Sequence, residues 1–152
     1  MPTTIQRERP DTTDAIALIT ELEAELEPLY PRTSRHGYSV EKLIAQNVAF
    51  FLIRHDDAPA GCGGVQFFGT EYGELKRMYV RPEFRSRGLA KLMLNHLEDY
   101  ARGQQIGVLR LETGIYQHAA IGLYERTGYQ SIPPFGAYRE DPNSLFYEKH
   151  IL

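Results

Sequence analysis

Glu74-Leu75-Lys76-Arg77-Met78-Tyr79-Val80 runs through Arg81-Pro82-Glu83-Phe84 into Arg85-Ser86-Arg87-Gly88-Leu89-Ala90. The first seven residues read as a strand. The last six read as a Gly-containing turn that opens a helix, whose stripe is Leu89, Leu92, Met93, His96, Leu97 and Tyr100. A strand feeding a helix in this way aims several backbone N–H groups at one point, and a helix N-terminus attracts phosphate through those donors and its dipole. Gly88 and Ala90 leave the backbone approachable. Arg81, Arg85, Arg87 and Lys91 crowd a stretch of a chain that is acidic overall, with net charge -3. The physical reading is a polyphosphate site. No GxxxxGK[ST] and no GxGxxG occurs, which argues against a nucleoside-triphosphate P-loop and a dinucleotide fingerprint.

Upstream, Thr4 to Arg9 reads as a strand ending at Pro10. A helix starts near Asp11 to Asp14, with Ala15, Leu18, Ile19, Leu22, Leu26 and Leu29 on one stripe and Pro28 and Pro31 bracketing its end. Residues 31–38 form a polar loop, and Ser39 caps a helix over Val40 to Gln46. Val48 to Ile53 is continuously apolar, as for a strand covered on both faces. A turn over Asp56 to Gly61 leads to a partner strand, Gly63 to Phe68. Downstream come a strand over Val108 to Thr113, a helix through Ala120, Leu123, Tyr124 and Thr127 that stops at Gly128, and a last strand over Leu145 to Lys149. The pattern is mixed α/β, an α+β chain with hairpins early and βαβα late, read as one domain over residues 1–152.

The 152 residues, 42% hydrophobic and 24% charged, suit a globular chain with room for a real core. The acidic balance argues against nucleic-acid binding through bulk charge. No run of about 20 apolar residues and no secretory h-region is present, so neither a membrane nor an export route is expected, and the cytoplasm is. The lone Cys62 cannot form an intramolecular disulfide, and the five histidines lack metal-ligand spacing, so no metal is expected.

Arg85-Ser86-Arg87-Gly88-Leu89-Ala90 resembles the R/Q-x-x-G-x-G/A turn of the GNAT superfamily, the Gcn5-related N-acetyltransferases. Glu74 to Val80 is similar to that family's fourth strand, and Gln117-His118-Ala119-Ala120-Ile121-Gly122-Leu123-Tyr124-Glu125-Arg126-Thr127-Gly128-Tyr129 to its N-x-x-A-x-x-L-Y-x-x-x-G-F/Y motif. The resemblance covers about residues 3–150. It implies a mixed, mostly antiparallel sheet with a splayed central strand pair, flanked by helices, and acetyl-CoA as cosubstrate. Backbone groups of Arg87, Gly88, Leu89 and Ala90, with Arg85 and Ser86, would hold the pyrophosphate. Main-chain groups of Met78 and Val80 would pair with the pantetheine arm. An N–H near Met78 or Tyr79 would face the oxyanion. Gln117 stands where the family has a cofactor-binding Asn, a departure that puts that contact in question.

An amine must lose a proton before it attacks a thioester, so a base is needed. Glu74 matches the catalytic glutamate of some members and is the first candidate; Glu112 is the second, and His118 also comes into view. Tyr124 matches the tyrosine that protonates the leaving thiolate, the other reading being a half-buried aromatic. Cys62 raises a covalent route, but a buried thiol is usually a small apolar side chain. The loop bearing Arg32, Arg35, His36 and Tyr38, with Tyr116 and the Pro133–Arg139 segment, would wall the acceptor; arginines beside aromatics suit a carboxylate, or are ordinary loop charge. The late Phe135–Lys149 stretch resembles a bacterial subgroup of acetyltransferases. The expected activity is acetyl transfer to a primary amine of a small molecule by direct attack. A protein or peptide acceptor is one alternative and a non-catalytic CoA sensor another. A homodimer is a family-level expectation only.

Overall fold

Asp56 and Asp57 both sit at positive φ, 51° and 66°, the backbone of a two-residue hairpin turn. The chain therefore doubles back at once, and β2 (Ala49–His55) pairs with β3 (Ala58–Phe68) from His55↔Ala58 to Ala49↔Val65. The turn is shorter and β3 longer than the composition of residues 56–61 suggests. The structure, a computed structural model, describes residues 2–35 and 38–152. His36 lies outside them.

β1 (Thr3–Arg7) flanks β2, and β4 (Tyr72–Val80) flanks β3. Beyond them lie β5 (Val108–Gly114), β7 (Ser144–His150) and β6 (Gln130–Ile132), so one seven-stranded sheet has the order β1-β2-β3-β4-β5-β7-β6. Every neighbouring pair is antiparallel except β4 with β5. This is the mixed, mostly antiparallel sheet expected. β6 has only Gln-Ser-Ile and no alternation to announce it; it exists as the edge partner of β7.

Consecutive residues of β2 explain its unbroken apolar run. Phe50 and Leu52 face one core, with Ala15, Leu18, Ile19 and Leu22 of α1 (Thr13–Leu26) and Leu43 of α2 (Val40–Ala45). Phe51 and Ile53 face the other, with Met93, Leu94 and Leu97 of α3 (Leu89–Gly103) and Tyr124 of α4 (His118–Arg126). Each such side chain contributes about 1.5–3 kcal/mol on burial. Thr12, not an aspartate, caps α1, its Oγ1 accepting from the Ala15 N–H at 3.2 Å, and the Ser39 Oγ caps α2 in the same way. Leu29 is not on the α1 stripe: the helix ends at Leu26, ahead of Pro28, and Leu29 is left exposed. Among the described residues no helix is long and apolar enough to cross a membrane.

Two irregularities open the middle of the sheet. β4 and β5 pair only at Gly73↔Leu109 and Glu74↔Arg110. Three residues on, Arg77 adopts φ 56°, and it and Met78 together oppose the single residue Gly63. Such a bulge bends its strand and inserts one extra residue. Lys76 and Arg77 consequently both face α1, and the strand parts from β5 beyond Glu74.

Candidate active site

A cavity of about 140 Å³ runs through this parting. Leu22, Glu23, Leu26 and Tyr30 line it from α1 and the chain after it; Arg35 and Tyr38 from the next loop; Glu74 to Met78 from β4. Ser34, Leu111 to Gly114 of β5, Gln117, Ala120 and Tyr124 of α4, and Tyr138 complete it, Gln117 lying just ahead of the helix. Glu74, Glu112, Gln117 and Tyr124, singled out far apart in the chain, thus share one space. His118 and Cys62 do not border it. Cys62 is buried in the α1 core, its thiol bonded to the Arg77 carbonyl at 3.3 Å, and burial pushes it up to about 12. It stays a thiol there, which removes the covalent route.

Glu74 is no solvated strand-end carboxylate. It is 3% exposed, and its Oε2 accepts from the Lys76 Nζ at 2.8 Å and the Tyr138 hydroxyl at 2.5 Å. The Lys76 ammonium also lies 3.9 Å from the centre of the Tyr38 ring. Period-2 alternation put Glu74 and Lys76 on one face and was the available signal for this pair. Tyr138, 64 residues on, lies in the segment expected to wall the acceptor, but nothing local announced it as a partner of Glu74. The Glu112 Oε2 accepts from the Ser144 hydroxyl at 2.8 Å. Tyr124 is buried, and burial first, then the charge of Glu112, raise its phenol above the ordinary tyrosine range, so it keeps its proton.

Gln117 forms the N-cap position of α4, and its Oε1 accepts from the Tyr30 hydroxyl at 3.2 Å. Tyr30 also accepts from the Tyr116 N–H at 2.9 Å. A Cβ at Gly114 would stand 2.1 Å from that hydroxyl, so only glycine lets the ring lie against β5. Sequence reasoning missed Tyr30 entirely. Of the expected acceptor walls, Arg35, Tyr38 and Tyr138 border the cavity, while Arg32 is exposed and the Tyr116 ring lies outside, tilted against Tyr30.

The turn before α3 has different construction. Ser86 and Gly88 lie at φ 64° and 77°, either side of Arg87, a geometry that turns successive N–H groups to one side. Gly88 is the N-cap, with no side chain to satisfy the first-turn donors and open space where a Cβ would be. A cradle of bare N–H groups at a helix start fits a pyrophosphate. The arginines are more occupied than their crowding suggests. Arg81 binds Glu21, and Arg85 binds Glu25 at 2.9 Å and the Val80 carbonyl at 2.8 Å, which occupies one of that carbonyl's two lone pairs. Arg87 and Lys91 have no ion pair among the described residues. The Arg81 N–H bonds the Ala60 carbonyl, so by alternation Tyr79 turns its main chain to β3 and Val80 to the cleft edge. The Tyr79 ring is buried against α1, its hydroxyl 3.3 Å from Glu21.

Residues 15–129, most of the chain, match the Acetyltransferase (GNAT) family. The chain belongs to the GNAT family. It is 40% identical over 150 residues to the IAA acetyltransferase of Azospirillum brasilense, covering 97% of each. It is 33% identical to the uncharacterized N-acetyltransferase YsnE of Bacillus subtilis, over 90% of this chain and 91% of that one. A crystal structure from Klebsiella pneumoniae, assigned as an acyl-CoA N-acyltransferase, superposes with TM-score 0.84 at 38% identity, over 99% and 98% of the two chains. As a GNAT protein the chain is an acetyl-CoA-dependent acyltransferase, and the uncapped α3 turn and the parted strands are the GNAT features it displays. Among the described residues no group of His, Cys, Asp and Glu is placed to hold a metal ion.

Proposed function

We propose that this enzyme moves the acetyl group of acetyl-CoA to the primary amine of a small molecule by direct attack within the cavity between β4 and β5. The observation that carries this is the charge balance of the cavity lining. Its three carboxylates, Glu23, Glu74 and Glu112, are equalled in number by three cations, Arg35, Lys76 and Arg77, so it is not the acidic groove a lysine-rich protein target needs.

Backbone groups of Ser86 to Ala90 hold the cosubstrate's pyrophosphate, with Met78 at the cleft edge beside its arm. Bound there, acetyl-CoA supplies the thioester carbonyl that the amine attacks and the thiolate that leaves. Glu112 takes the amine proton. It outranks Glu74 because Glu74 meets a buried ammonium and a phenol on Oε2, and a proton there would give up the Lys76 pair. Glu112 and Tyr124 line the same cavity, which supports pairing an acceptor and a donor of protons there. Tyr124, kept protonated by burial, donates from its Oη to the departing sulfur. Glu74, with Lys76 and Tyr138, shapes the wall. The Tyr30 hydroxyl fixes the Gln117 oxygen and leaves its NH₂ as the donor for the cosubstrate.

Free-thiol release from acetyl-CoA across small amines, amino acids and lysine-rich peptides tests this. Turnover with small amines, lost in Glu112→Gln and Tyr124→Phe, is expected. Faster turnover with peptides would select the protein-acceptor reading, and CoA binding without any turnover the sensor reading.

A further inference from the structure

We infer that the acceptor carries a carboxylate as well as its amine, and that Arg35 is the residue that binds it; this rests on the cavity being the acceptor site. Each of the other cations in the lining is locally satisfied. Lys76 closes on Glu74 at 2.8 Å and lies against the Tyr38 ring. Arg77 gives its Nε to the Tyr38 carbonyl at 2.9 Å and ion-pairs with Glu23. Arg35 makes no such match: its Nε is buried with no hydrogen-bond partner, and no ion pair involves it among the described residues.

A guanidinium N–H removed from water and given no acceptor is costly, and a carboxylate supplies two acceptors in the spacing of the guanidinium fork. The backbone beneath Arg35 is held. Its N–H donates to the Arg32 carbonyl at 3.2 Å, closing the turn over Arg32–Ser34. Ser34 in turn donates to Asp141 at 3.0 Å and accepts from the Asn143 side chain at 3.2 Å. Arg35 therefore rises from a tethered turn and borders the cavity together with Tyr30, Tyr38, the parted strands and Glu112. A compact aminocarboxylate spans this arrangement: carboxylate on Arg35, amine toward Glu112 and the strand opening.

The test compares kcat/KM for amino acids and the matching amino acid amides, in wild type, Arg35→Gln, Arg35→Lys and the surface control Arg32→Gln. Calorimetric titration of the same pairs into the CoA complex runs alongside, and CoA affinity checks folding. The wild type is expected to favour the acid about 10- to 100-fold, the size of a charge-assisted hydrogen bond inside a cavity. Arg35→Gln brings the ratio close to one, Arg35→Lys restores part of it, and Arg32→Gln leaves it unchanged. A wild-type ratio near one, a ratio that survives Arg35→Gln, or an aminoalkyl phosphonate that outranks the carboxylate overturns the inference. Amines acetylated without regard to a carboxylate would sink it while leaving amine acetylation intact. Arg35-dependent binding of the acids with no acetylation would do the reverse.

Discussion

At the start of α3 the binding surface is main chain: Ser86 and Gly88 at positive φ, exposed, followed by first-turn N–H groups that no side chain caps. Across the opened sheet, on the α1 side, the surface is side chains drawn from the end of α1, the loop after it, β4, β5 and the segment around Tyr138. One pole is contiguous in sequence, and the other is assembled by the fold. A diphosphate presents the same anion in every reaction, so the site proposed for it needs only six consecutive residues. An acceptor must be told from its neighbours by shape and charge, and that takes groups which only tertiary structure brings together.

The sharpest way to break this contrast is to treat the assembled pole as if it were a simple base. Glu74→Gln leaves the Lys76 ammonium, 6% exposed at its side chain, without its carboxylate. The expected loss is about 3–5 kcal/mol of stability in denaturant unfolding, with the Glu74→Gln/Lys76→Met double variant recovering much of it. An unchanged midpoint in the single variant would return Glu74 to the role of base. Next, Tyr124→Phe should lower kcat by about 100- to 1,000-fold with CoA affinity kept, read by thiol release and calorimetry. Gly88→Val acts on the other pole alone. A β-branched residue at φ 77° strains the turn, and CoA affinity should fall by roughly 100-fold while the melting temperature drops only by the few degrees that about 1–3 kcal/mol of local strain costs.

Smaller effects sharpen the comparison. Gly114→Ala would press a methyl onto Tyr30 and should cost about 1–3 kcal/mol, with a raised acceptor KM as the ring leaves Gln117. Alkali should also distinguish the poles. Burial, joined by the charge of Glu74, raises the Tyr138 phenol well above its ordinary value. A group raised in the folded state stabilises fully below its unfolded pKa, about 10, and that contribution is lost as pH rises beyond it. Thermal melts from pH 9 to 11.5 should decline more gently in Tyr138→Phe than in wild type. Equal slopes would mean Tyr138 does not hold this wall.

The same contrast explains what could be read before the structure. The order of the longer elements along the chain, the α3 turn and the α4 helix rest on local periodicity and on a glycine at a helix start, and these are properties of adjacent residues. Arg85 already shows the limit: it sits in the expected turn, yet its guanidinium belongs to Glu25, 60 residues away. Glu74, read as the first candidate for the base, borders the cavity, but its partners Lys76 and Tyr138, which decide how it can act, are a matter of burial and of the loop packed over β4. Tyr30 had no signal at all, since its meaning depends on the space above Gly114.

The single residue Arg77 separates two protein shapes. Remove it, and Lys76 and Met78 would still face the sides they face now, because the bulge adds a residue without changing the alternation around it. What would disappear is the bend, and with it the reason for β4 to part from β5. The hollow between the strands is in that sense an inserted codon's worth of backbone: a continuous sheet would be the simpler object, and one left-handed arginine keeps it from closing over the place where a reaction can occur.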